Sequence, residues 1–325
     1  MSDTLLVTGG AGYIGSHVVR QLVEAGYQVV VYDDLSTGHR DAVLGAELVV
    51  GDLADRGRLA ALFADRGFAA VLHFAASIVV SDSLDRPLDY YGNNTANTLG
   101  LLRCCADTGV DRFVFSSTAA VYGDPPGGVA DEDTPLAPIN PYGRSKAMSE
   151  WIMRDNAAAS AFRYVSLRYF NAAGAELDAR IGQRGEDATH LIKVACEAAA
   201  GRRPSVTVYG TDYDTPDGTC LRDYIHVEDL ARAHIAALRY LDRGGESRVL
   251  NCGYGVGYSV REVLARVQAI SGVDFAVIEG GRRPGDPARL IANSKRIRRL
   301  LDWTPRHDDL DTIVGSALAW EKTLG

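Results

Sequence analysis

The 325-residue sequence has little of what several classes of protein need. Its 34 Lys and Arg residues are outnumbered by 42 Asp and Glu residues, so the basic surface of a nucleic-acid binder is missing. No apolar run approaches the length that crosses a bilayer, and no basic stretch leads into an apolar one as in a signal peptide. We therefore expect a cytoplasmic protein without nucleic-acid or membrane partners.

Cysteine and histidine are also sparse. The five cysteines are odd in number and lack the paired spacing of a metal or redox site. None of the seven histidines stands at ligand spacing with a carboxylate or thiolate partner. We therefore expect reduced thiols and no metal. The 46% hydrophobic and 23% charged residues are typical of an ordered globular protein.

Short valine-rich apolar runs alternate with helical periodicities in the first half of the chain. This pattern predicts an α/β fold with a doubly wound parallel sheet over residues 1–173. The regularity fades afterwards, and residues 174–325 are predicted to form a smaller substrate-binding domain. A strand and helix near 222–241 are expected to return to the main sheet. The predicted strands are Thr4–Thr8, Gln28–Tyr32, Glu47–Val50, Ala70–Phe74, Arg112–Ser116 and Arg163–Tyr169.

A glycine-rich segment, Thr8-Gly9-Gly10-Ala11-Gly12-Tyr13-Ile14-Gly15, lies between the first predicted strand and helix. Glycines there permit a tight turn and a close approach of the backbone to a pyrophosphate. The phosphates would then meet the free N–H groups and positive dipole of the helix N-terminus. Asp33 ends the second strand, where a carboxylate binds ribose hydroxyls and repels a 2′-phosphate. The segment and its acid predict a site for NAD rather than NADP.

The pair Asp52-Leu53 follows the third predicted strand. Its position suits a contact with the adenine of the dinucleotide. An aspartate there also suits a turn or a helix cap, and the spacing alone does not decide between the two interpretations.

Tyr142 and Lys146 stand one helical turn apart after Pro141, a residue suited to the start of a helix. A phenolate at neutral pH needs a pKa about three units below its ordinary value, or about 4 kcal/mol. A nearby ammonium and a positive nicotinamide ring can supply this in a dry pocket. Thr118, at the hydroxyl-rich end of a strand, is placed to bind the same substrate hydroxyl. The pattern predicts a tyrosine that acts as general base.

These motifs resemble the extended short-chain dehydrogenase/reductase family and, within it, the UDP-galactose 4-epimerases. The resemblance runs from Val7 to Trp320 and implies a Rossmann fold, NAD as the cofactor, a UDP-sugar substrate and a homodimer. Apolar residues such as Leu99, Leu101 and Leu102 suit either a dimer face or the core. The further motifs are His73-Phe74-Ala75-Ala76, Tyr90-Tyr91-Gly92-Asn93-Asn94, Ser116-Ser117-Thr118-Ala119-Ala120-Val121-Tyr122-Gly123, Arg168-Tyr169-Phe170-Asn171 and Asp217-Gly218-Thr219-Cys220-Leu221-Arg222-Asp223-Tyr224-Ile225-His226-Val227.

The resemblance also implies a set of site residues. Tyr142, Lys146 and Thr118 would be catalytic. The residues implied to bind the cofactor are Gly9, Gly12, Tyr13, Ile14, Gly15, Asp33, Asp52, Leu53, Phe74, Ala75, Asn93, Lys146 and Tyr169. Those implied to bind the UDP-sugar are Thr118, Tyr142, Asn171, His190, Leu191, Tyr209, Arg222, Arg283 and Asp286, with the two arginines on the diphosphate.

The implied mechanism is a 4-epimerisation. Tyr142 takes the proton of the 4-hydroxyl while hydride passes from C4 to NAD. The 4-keto sugar then turns over within the site, and hydride returns to its other face, so that NAD stays bound. Three positions differ from the family pattern: Thr118 where many relatives have serine, Ile78 where some have lysine, and His190 where asparagine is frequent.

Several alternative functions follow from the same fold. The 4,6-dehydratases carry Asp-Glu after the threonine of the fifth strand, whereas this chain has Ala119-Ala120, which cannot transfer protons. A 4-epimerase of UDP-N-acetylhexosamines or UDP-pentoses stays open, because a one-residue shortening makes the alignment ambiguous at Arg289-Leu290, beside the sugar C2 substituent. A non-catalytic NAD(P)-sensing regulator would not need the three catalytic residues together.

Overall fold

Seven parallel strands form the central sheet, which we describe from a computed structural model of residues 4–185 and 188–324. They are β1 (Thr4–Thr8), β2 (Gln28–Asp33), β3 (Glu47–Val50), β4 (Ala70–His73), β5 (Arg112–Thr118), β7 (Arg163–Tyr169) and β11 (Arg248–Cys252). Their spatial order is β11-β7-β5-β4-β1-β2-β3, and each neighbouring pair is parallel. All six strands predicted from the sequence lie in this sheet, so the doubly wound fold is confirmed.

Helices cover both faces of the central sheet, and each face has its own apolar core. Leu5 and Val7 of β1 pack into one core and Leu6 into the other. Burial on both faces explains why the strands are apolar throughout. The first core is covered by α1 (Tyr13–Glu24) and α8 (Val227–Asp242), and the second by α2 (Arg56–Arg66), α5 (Asn97–Thr108) and α6 (Pro141–Ala159).

Short strands from both halves of the chain build two smaller sheets. The larger of these has the order β12-β10-β14-β6, with β8 also paired to β10, and the other pairs β9 with β13. These strands are β6 (Val129–Ala130), β8 (Asn171–Ala173), β9 (Ser205–Tyr209), β10 (Leu221–His226), β12 (Gly257–Ser259), β13 (Ala276–Gly280) and β14 (Arg289–Ala292). The other helices are α3 (Val80–Asp85), α4 (Pro87–Tyr90), α7 (Leu191–Ala199), α9 (Val260–Ser271), α10 (Lys295–Leu301) and α11 (Leu310–Thr323), with a π-helical turn Tyr91–Ala96 before α5.

The segment near 222–241 differs in part from the prediction. Its helix, α8, packs against α1 and the central strands, but its strand, β10, pairs with β8, β12 and β14 in the smaller sheet. The strand that returns to the central sheet is β11. Asp223 of β10 gives the reason, because its carboxylate accepts the N–H groups of Tyr254, Gly255 and Ala292. Between two apolar layers this carboxylate would lose those partners.

Three findings concern membrane spans, metals and cysteines. Within residues 4–185 and 188–324, no helix has the length and apolarity that a membrane span requires. In the same two ranges, no group of three or more His, Cys, Asp and Glu side chains is arranged to hold a metal ion. The five cysteines are free thiols, and all are buried.

Candidate active site

A cavity of about 1030 Å³ opens at the carboxyl ends of the central strands. Ligands of doubly wound sheets bind at this edge, outside the strand ends. The cavity wall contains every residue implied to bind cofactor or substrate except Lys146. Those in the wall are Gly9, Gly12, Tyr13, Ile14, Gly15, Asp33, Asp52, Leu53, Phe74, Ala75, Asn93, Thr118, Tyr142, Tyr169, Asn171, His190, Leu191, Tyr209, Arg222, Arg283 and Asp286.

Two glycines of the glycine-rich turn, Gly9 and Gly15, are packed so closely that neither position has room for a side chain. Gly9 has a φ of +72°, and an added Cβ would lie 2.4 Å from the Ala75 nitrogen. A Cβ on Gly15 would lie 2.2 Å from the Gly9 carbonyl oxygen. α1 begins at Tyr13 with Gly12 as its N-cap, so no side chain occupies the N–H groups of its first turn. This geometry fits a pyrophosphate at the helix N-terminus.

Asp33 and Asp52 face the cavity and also shape its backbone. The Asp33 carboxylate accepts the Ala11 N–H and the Leu35 N–H, each at 2.9 Å, so it ties the end of β2 to the glycine-rich turn. Asp52 Oδ1 accepts the Ala54 N–H at 2.8 Å. Asp52 therefore makes the turn that one interpretation predicted and still lines the cavity, as the adenine interpretation requires.

Two further segments complete the cofactor side of the cavity. Phe74 and Ala75 follow β4, and both donate their N–H groups to the Thr8 carbonyl, at 2.8 and 3.1 Å. Asn93 lies in the π-helical turn and donates its amide to Ser77 Oγ at 2.9 Å. Backbone and amide groups from two different crossovers therefore meet beside the glycine-rich turn.

The catalytic candidates come together at the ends of β5 and α6. The side chain of Asn140 caps α6, and Pro141 takes the first helical position, as the sequence predicted. Tyr142 in the first turn hydrogen-bonds the Thr118 hydroxyl at the end of β5. Tyr142 is 7% exposed and Thr118 8%, and both side chains line the cavity. Two nearly buried hydroxyls are thus presented side by side at one point of the cavity wall.

Lys146 lies behind this pair rather than in the cavity wall. Its Nζ donates to the Ser116 carbonyl at 2.9 Å and stands 4.8 Å from the centroid of the Phe115 ring. The Ser116 hydroxyl in turn bonds the Tyr169 hydroxyl at 2.7 Å. The ammonium of Lys146, a predicted cofactor contact, is thus directed at the end of β5.

Burial shifts the pKa values of both Tyr142 and Lys146. It raises the pKa of Tyr142, and the hydrogen bond from Thr118 offsets part of that rise. Burial also lowers the pKa of Lys146 to about 7, with Glu150 acting in the opposite direction. The chain's own groups therefore do not produce a phenolate, and further positive charge is needed beside Tyr142.

Two arginines stand at the other end of the cavity, Arg222 on the strand β10 and Arg283 on the loop between β13 and β14. The guanidinium of Arg222, on β10, lies 3.6 Å from an Asp286 carboxylate oxygen. The guanidinium of Arg283 lies 3.7 Å from the centroid of the Tyr209 ring. Tyr209 ends β9, so an aromatic face and two guanidinium groups are clustered where the sequence predicted the uridine diphosphate.

Asn171, His190 and Leu191 connect the two ends of the cavity. Asn171 donates its amide to the Asp223 carbonyl at 3.2 Å. His190 Nδ1 is bonded by the Gln183 amide at 2.7 Å, and burial lowers the pKa of this histidine. Leu191 begins α7. The family's asparagine is thus replaced by an imidazole that burial keeps neutral.

Sequence reasoning left Leu290 undecided and missed Ser116 and Gln183. Leu290 lines the cavity, whereas Arg289 points its guanidinium to the Asp214 carbonyl at 2.9 Å. The signal for Ser116 was its place in the hydroxyl-rich end of β5. Gln183 has no sequence signal, since its role depends on how its loop folds against α7.

Comparisons with known proteins agree with this geometry. The sequence model of the NAD dependent epimerase/dehydratase family matches residues 5–253. A UDP-glucose 4-epimerase from Azospirillum brasilense is 56% identical over 324 residues, which cover 99% of this chain and 93% of that protein.

Solved structures of 4-epimerases are also similar to this chain. A UDP-glucose 4-epimerase from Brucella ovis in complex with NAD has a TM-score of 0.95 at 44% identity, covering 99% of each chain. A UDP-Glc/GlcNAc 4-epimerase from Campylobacter jejuni has a TM-score of 0.87 at 50% identity, covering 99% of this chain and 100% of that one. The chain belongs to the NAD dependent epimerase/dehydratase family.

Proposed function

We propose that this protein interconverts UDP-galactose and UDP-glucose by epimerisation at C4, with NAD as its cofactor. The observation that carries the proposal is the hydrogen-bonded Thr118–Tyr142 pair, with Lys146 behind it, in the same cavity as the cluster of Arg222, Arg283 and Tyr209. A hydroxyl-binding base at one end and a diphosphate site at the other suit a nucleotide sugar.

The cofactor side holds NAD through backbone and carboxylate groups. The glycine-rich turn and the N-terminus of α1 would hold the pyrophosphate, and Asp33 would bind the adenosine ribose. Phe74, Ala75 and Asn93 would also contact the cofactor, and Asp52 and Leu53 would contact the adenine. When bound, NAD supplies a reversible hydride acceptor at C4 and a positive nicotinamide ring beside Tyr142.

The chain's own residues move the proton and orient the sugar. Tyr142 removes the proton of the 4-hydroxyl and later returns it, and Thr118 holds that hydroxyl and the phenol in one hydrogen-bonded group. The buried Lys146 ammonium favours the phenolate. Arg222 and Arg283 hold the diphosphate, so binding energy is placed away from the reacting carbon and the sugar is free to turn.

The sugar preference depends on Leu290, which lies in the cavity wall next to Arg222 across the β10–β14 pairing. A medium-sized apolar residue there favours a hydroxyl at C2 over an N-acetyl group, which supports glucose and galactose as the preferred sugars. A 4-epimerase of UDP-N-acetylhexosamines remains the second candidate, because the relative from Campylobacter jejuni is a UDP-Glc/GlcNAc 4-epimerase at 50% identity. UDP-pentoses, which lack C6, form the third substrate class to assay.

We also propose that the protein is a cytoplasmic homodimer. Within each chain, we propose that one part binds NAD and the other binds the UDP-sugar. Leu84, Leu88, Leu99, Met148 and Trp151 leave 36–80% of their surface exposed on α3 to α6, which is unusual for apolar residues on packed helices. Five buried free thiols support a reducing compartment. Residues 1–173 with α8 and β11 would serve NAD, and the rest of 174–325 the UDP-sugar.

The dimer is tested by light scattering. We expect the unaltered protein to have the mass of two chains and the Trp151→Glu variant to have the mass of one. Ile278→Glu, on the exposed strand β13, is the control and should leave the mass of two chains unchanged. A single chain for the unaltered protein at working concentration would contradict the dimer.

The activity is tested by adding UDP-galactose to the purified protein without added NAD and following UDP-glucose by nuclear magnetic resonance. Conversion supports both the epimerisation and a retained cofactor. If no UDP-glucose formed even with NAD supplied, UDP-galactose would be ruled out as the substrate. UDP-N-acetylgalactosamine and UDP-pentoses would then be assayed. A regulator without catalysis would bind NAD and convert none of them.

A further inference from the structure

A buried carboxylate lies one helical turn beyond Lys146. Glu150 is 4% exposed and belongs to the same face of α6 as Tyr142 and Lys146. Its Oε1 accepts the Ser117 hydroxyl at 2.6 Å and the Ser166 hydroxyl at 2.8 Å. The carboxylate is therefore bonded to both β5 and β7, the strands that carry Thr118 and Tyr169.

Arg168 pairs with the same carboxylate and extends the network. Its Nε lies 3.0 Å from Glu150 Oε1 and 3.1 Å from Oε2, and its Nη1 donates to the Tyr122 hydroxyl at 2.9 Å. Tyr122 in turn donates to Asn251 Oδ1 at 2.6 Å, on β11. Because Arg168 is itself 5% exposed, the pair is shielded from solvent, and removing one partner would leave a buried charge.

Glu150 is bonded to residues that lie next to cavity residues in the sequence. Ser117 directly precedes Thr118, and Arg168 directly precedes Tyr169, so the bonds that these two residues make to the carboxylate each fix the neighbour of a cavity residue. A shift of α6 along the sheet would stretch these bonds. The network therefore holds α6 and the ends of β5 and β7 in one arrangement.

The electrostatic surroundings of Lys146 come from four elements. α6 contributes Tyr142 and Glu150, β4 contributes His73, β5 contributes the Ser116 carbonyl and the Phe115 ring, and β7 contributes Tyr169. Burial lowers the pKa of His73 to about 3, so this imidazole is neutral. Burial also raises the pKa values of Tyr142 and Tyr169. Of these groups, Glu150 is the one that acts to raise the pKa of Lys146.

The charged and titratable groups around Glu150 itself are Lys146, Arg168, Tyr122 and Tyr164. Burial raises the pKa of Tyr122 to about 12, so that phenol stays neutral. Burial likewise raises the pKa of Tyr164. Glu150 therefore stands between the side chains of Lys146 and Arg168, and its hydrogen bonds go to Arg168, Ser117 and Ser166 rather than to Lys146.

We propose that Glu150 is a positioning residue of the active site, which keeps the Lys146 ammonium charged and holds α6 against the ends of β5 and β7. Its role in turnover rests on the proposed function. Burial already lowers the pKa of Lys146 to about 7 with the carboxylate present, so without Glu150 the ammonium would lose its proton below neutral pH, together with its effect on Tyr142. Glu150 does not contact the cavity, so its effect passes through Lys146 and the two strands.

The test is a direct titration of Lys146 in Glu150→Gln by nuclear magnetic resonance of ε-¹³C-labelled lysine, with no sugar nucleotide present. The sequence has only four lysines (Lys146, Lys193, Lys295 and Lys322), and Lys146→Arg identifies the resonance. Removing the carboxylate removes a charge that favours the ammonium. We expect the midpoint to fall from near pH 7 by about one pH unit or more.

Three further variants distinguish the effect of the Glu150 charge on Lys146 from a general loss of stability. Glu150→Asp keeps the charge and should keep the midpoint close to that of the unaltered protein. The double variant Glu150→Gln/Arg168→Met removes both charges, which buried sites often tolerate, and should lower the midpoint as well. Glu228→Gln breaks another buried Arg–Glu pair, with Arg20, and should cost stability without moving the Lys146 midpoint.

Turnover provides the second measurement. If Lys146 must be charged, the alkaline limb of kcat/KM for UDP-galactose should move to lower pH in Glu150→Gln by the same amount as the titration. An unchanged Lys146 midpoint in a folded Glu150→Gln or double variant would overturn the proposal. Failure of the unaltered protein to convert UDP-galactose would overturn the proposed function instead and leave the titration intact.

Discussion

The two ends of the cavity are built in different ways. At the catalytic end, Thr118, Tyr142 and Lys146 are each less than 9% exposed and are fixed by a strand end and a capped helix. At the nucleotide-sugar end, Tyr209 is 40% exposed, and Arg283 is held over it by a ring contact. The first end is made by one strand end and one helix of the central layers, and the second by the short strands β9 and β10 and the loop that carries Arg283.

This difference has an energetic meaning. Buried hydrogen bonds and charges are costly to disturb, because an unpaired partner stays out of water. Exposed ion pairs contribute about 0–1 kcal/mol, so a site made from them can change with little loss of stability. We infer that burial fixes the arrangement of the catalytic candidates and that the ligand preference is set at the more exposed end.

The largest expected effect is at the catalytic end. Tyr142→Phe removes the hydroxyl that accepts the substrate proton, and we expect kcat to fall by about 10³-fold or more. The ring still fills its buried position, so NAD binding, measured by calorimetry, should be retained. Turnover near that of the unaltered protein would show that another group is the base.

The next effect is at the nucleotide-sugar end. Arg283→Ala removes a guanidinium expected on the diphosphate, and we expect the KM for UDP-galactose to rise about 10- to 100-fold with a smaller change in kcat. The neighbouring Arg282 is a matched control, since it stacks on Tyr213, bonds Asp212 and does not line the cavity. Equal effects of Arg282→Ala and Arg283→Ala would contradict this assignment.

The same comparison explains what the sequence could predict. The glycine-rich turn and the Tyr142–Lys146 pair are local patterns, in which spacing along one element fixes the geometry. The central strands were predictable for the same reason, because burial on both faces leaves continuous apolar runs. The sequence did not predict that Lys146 points at the Ser116 carbonyl, since this depends on how α6 packs on β5.

The nucleotide-sugar end depends on contacts between distant segments. Composition and spacing do not distinguish Arg222 from the rest of the 34 basic residues; only the family resemblance did, and the pairing of β10 with β14 places it opposite Leu290. The choice between Arg289 and Leu290 depends on strand register, because a shift of one residue exchanges the two faces. β10 was misplaced for a related reason: its pattern indicates a strand but does not specify which sheet the strand joins.

An intermediate effect is expected from the hydroxyl at position 118. Thr118→Val keeps the volume but loses the hydrogen bond to Tyr142, and we expect kcat to fall about tenfold. Thr118→Ser keeps the hydroxyl and should retain most of the activity. Single-turnover measurements at pH 8 would compare the two. Equal rates for the valine and serine variants would exclude a role for the hydroxyl.

The smallest effect tests the claim that preference is set at the more exposed end. Leu290→Ala enlarges the cavity beside the sugar, and we expect kcat/KM for UDP-N-acetylgalactosamine relative to UDP-galactose to rise about fivefold, or about 1 kcal/mol. Arg289→Ala is the matched control, because its side chain leaves the cavity wall. Since Leu290 packs only partly buried against a small apolar cluster, its loss should cost little stability. If Leu290→Ala changed kcat for both substrates but left the ratio of their kcat/KM values unchanged, Leu290 would not control the sugar preference. The distinction between the two ends of the cavity would then be weakened.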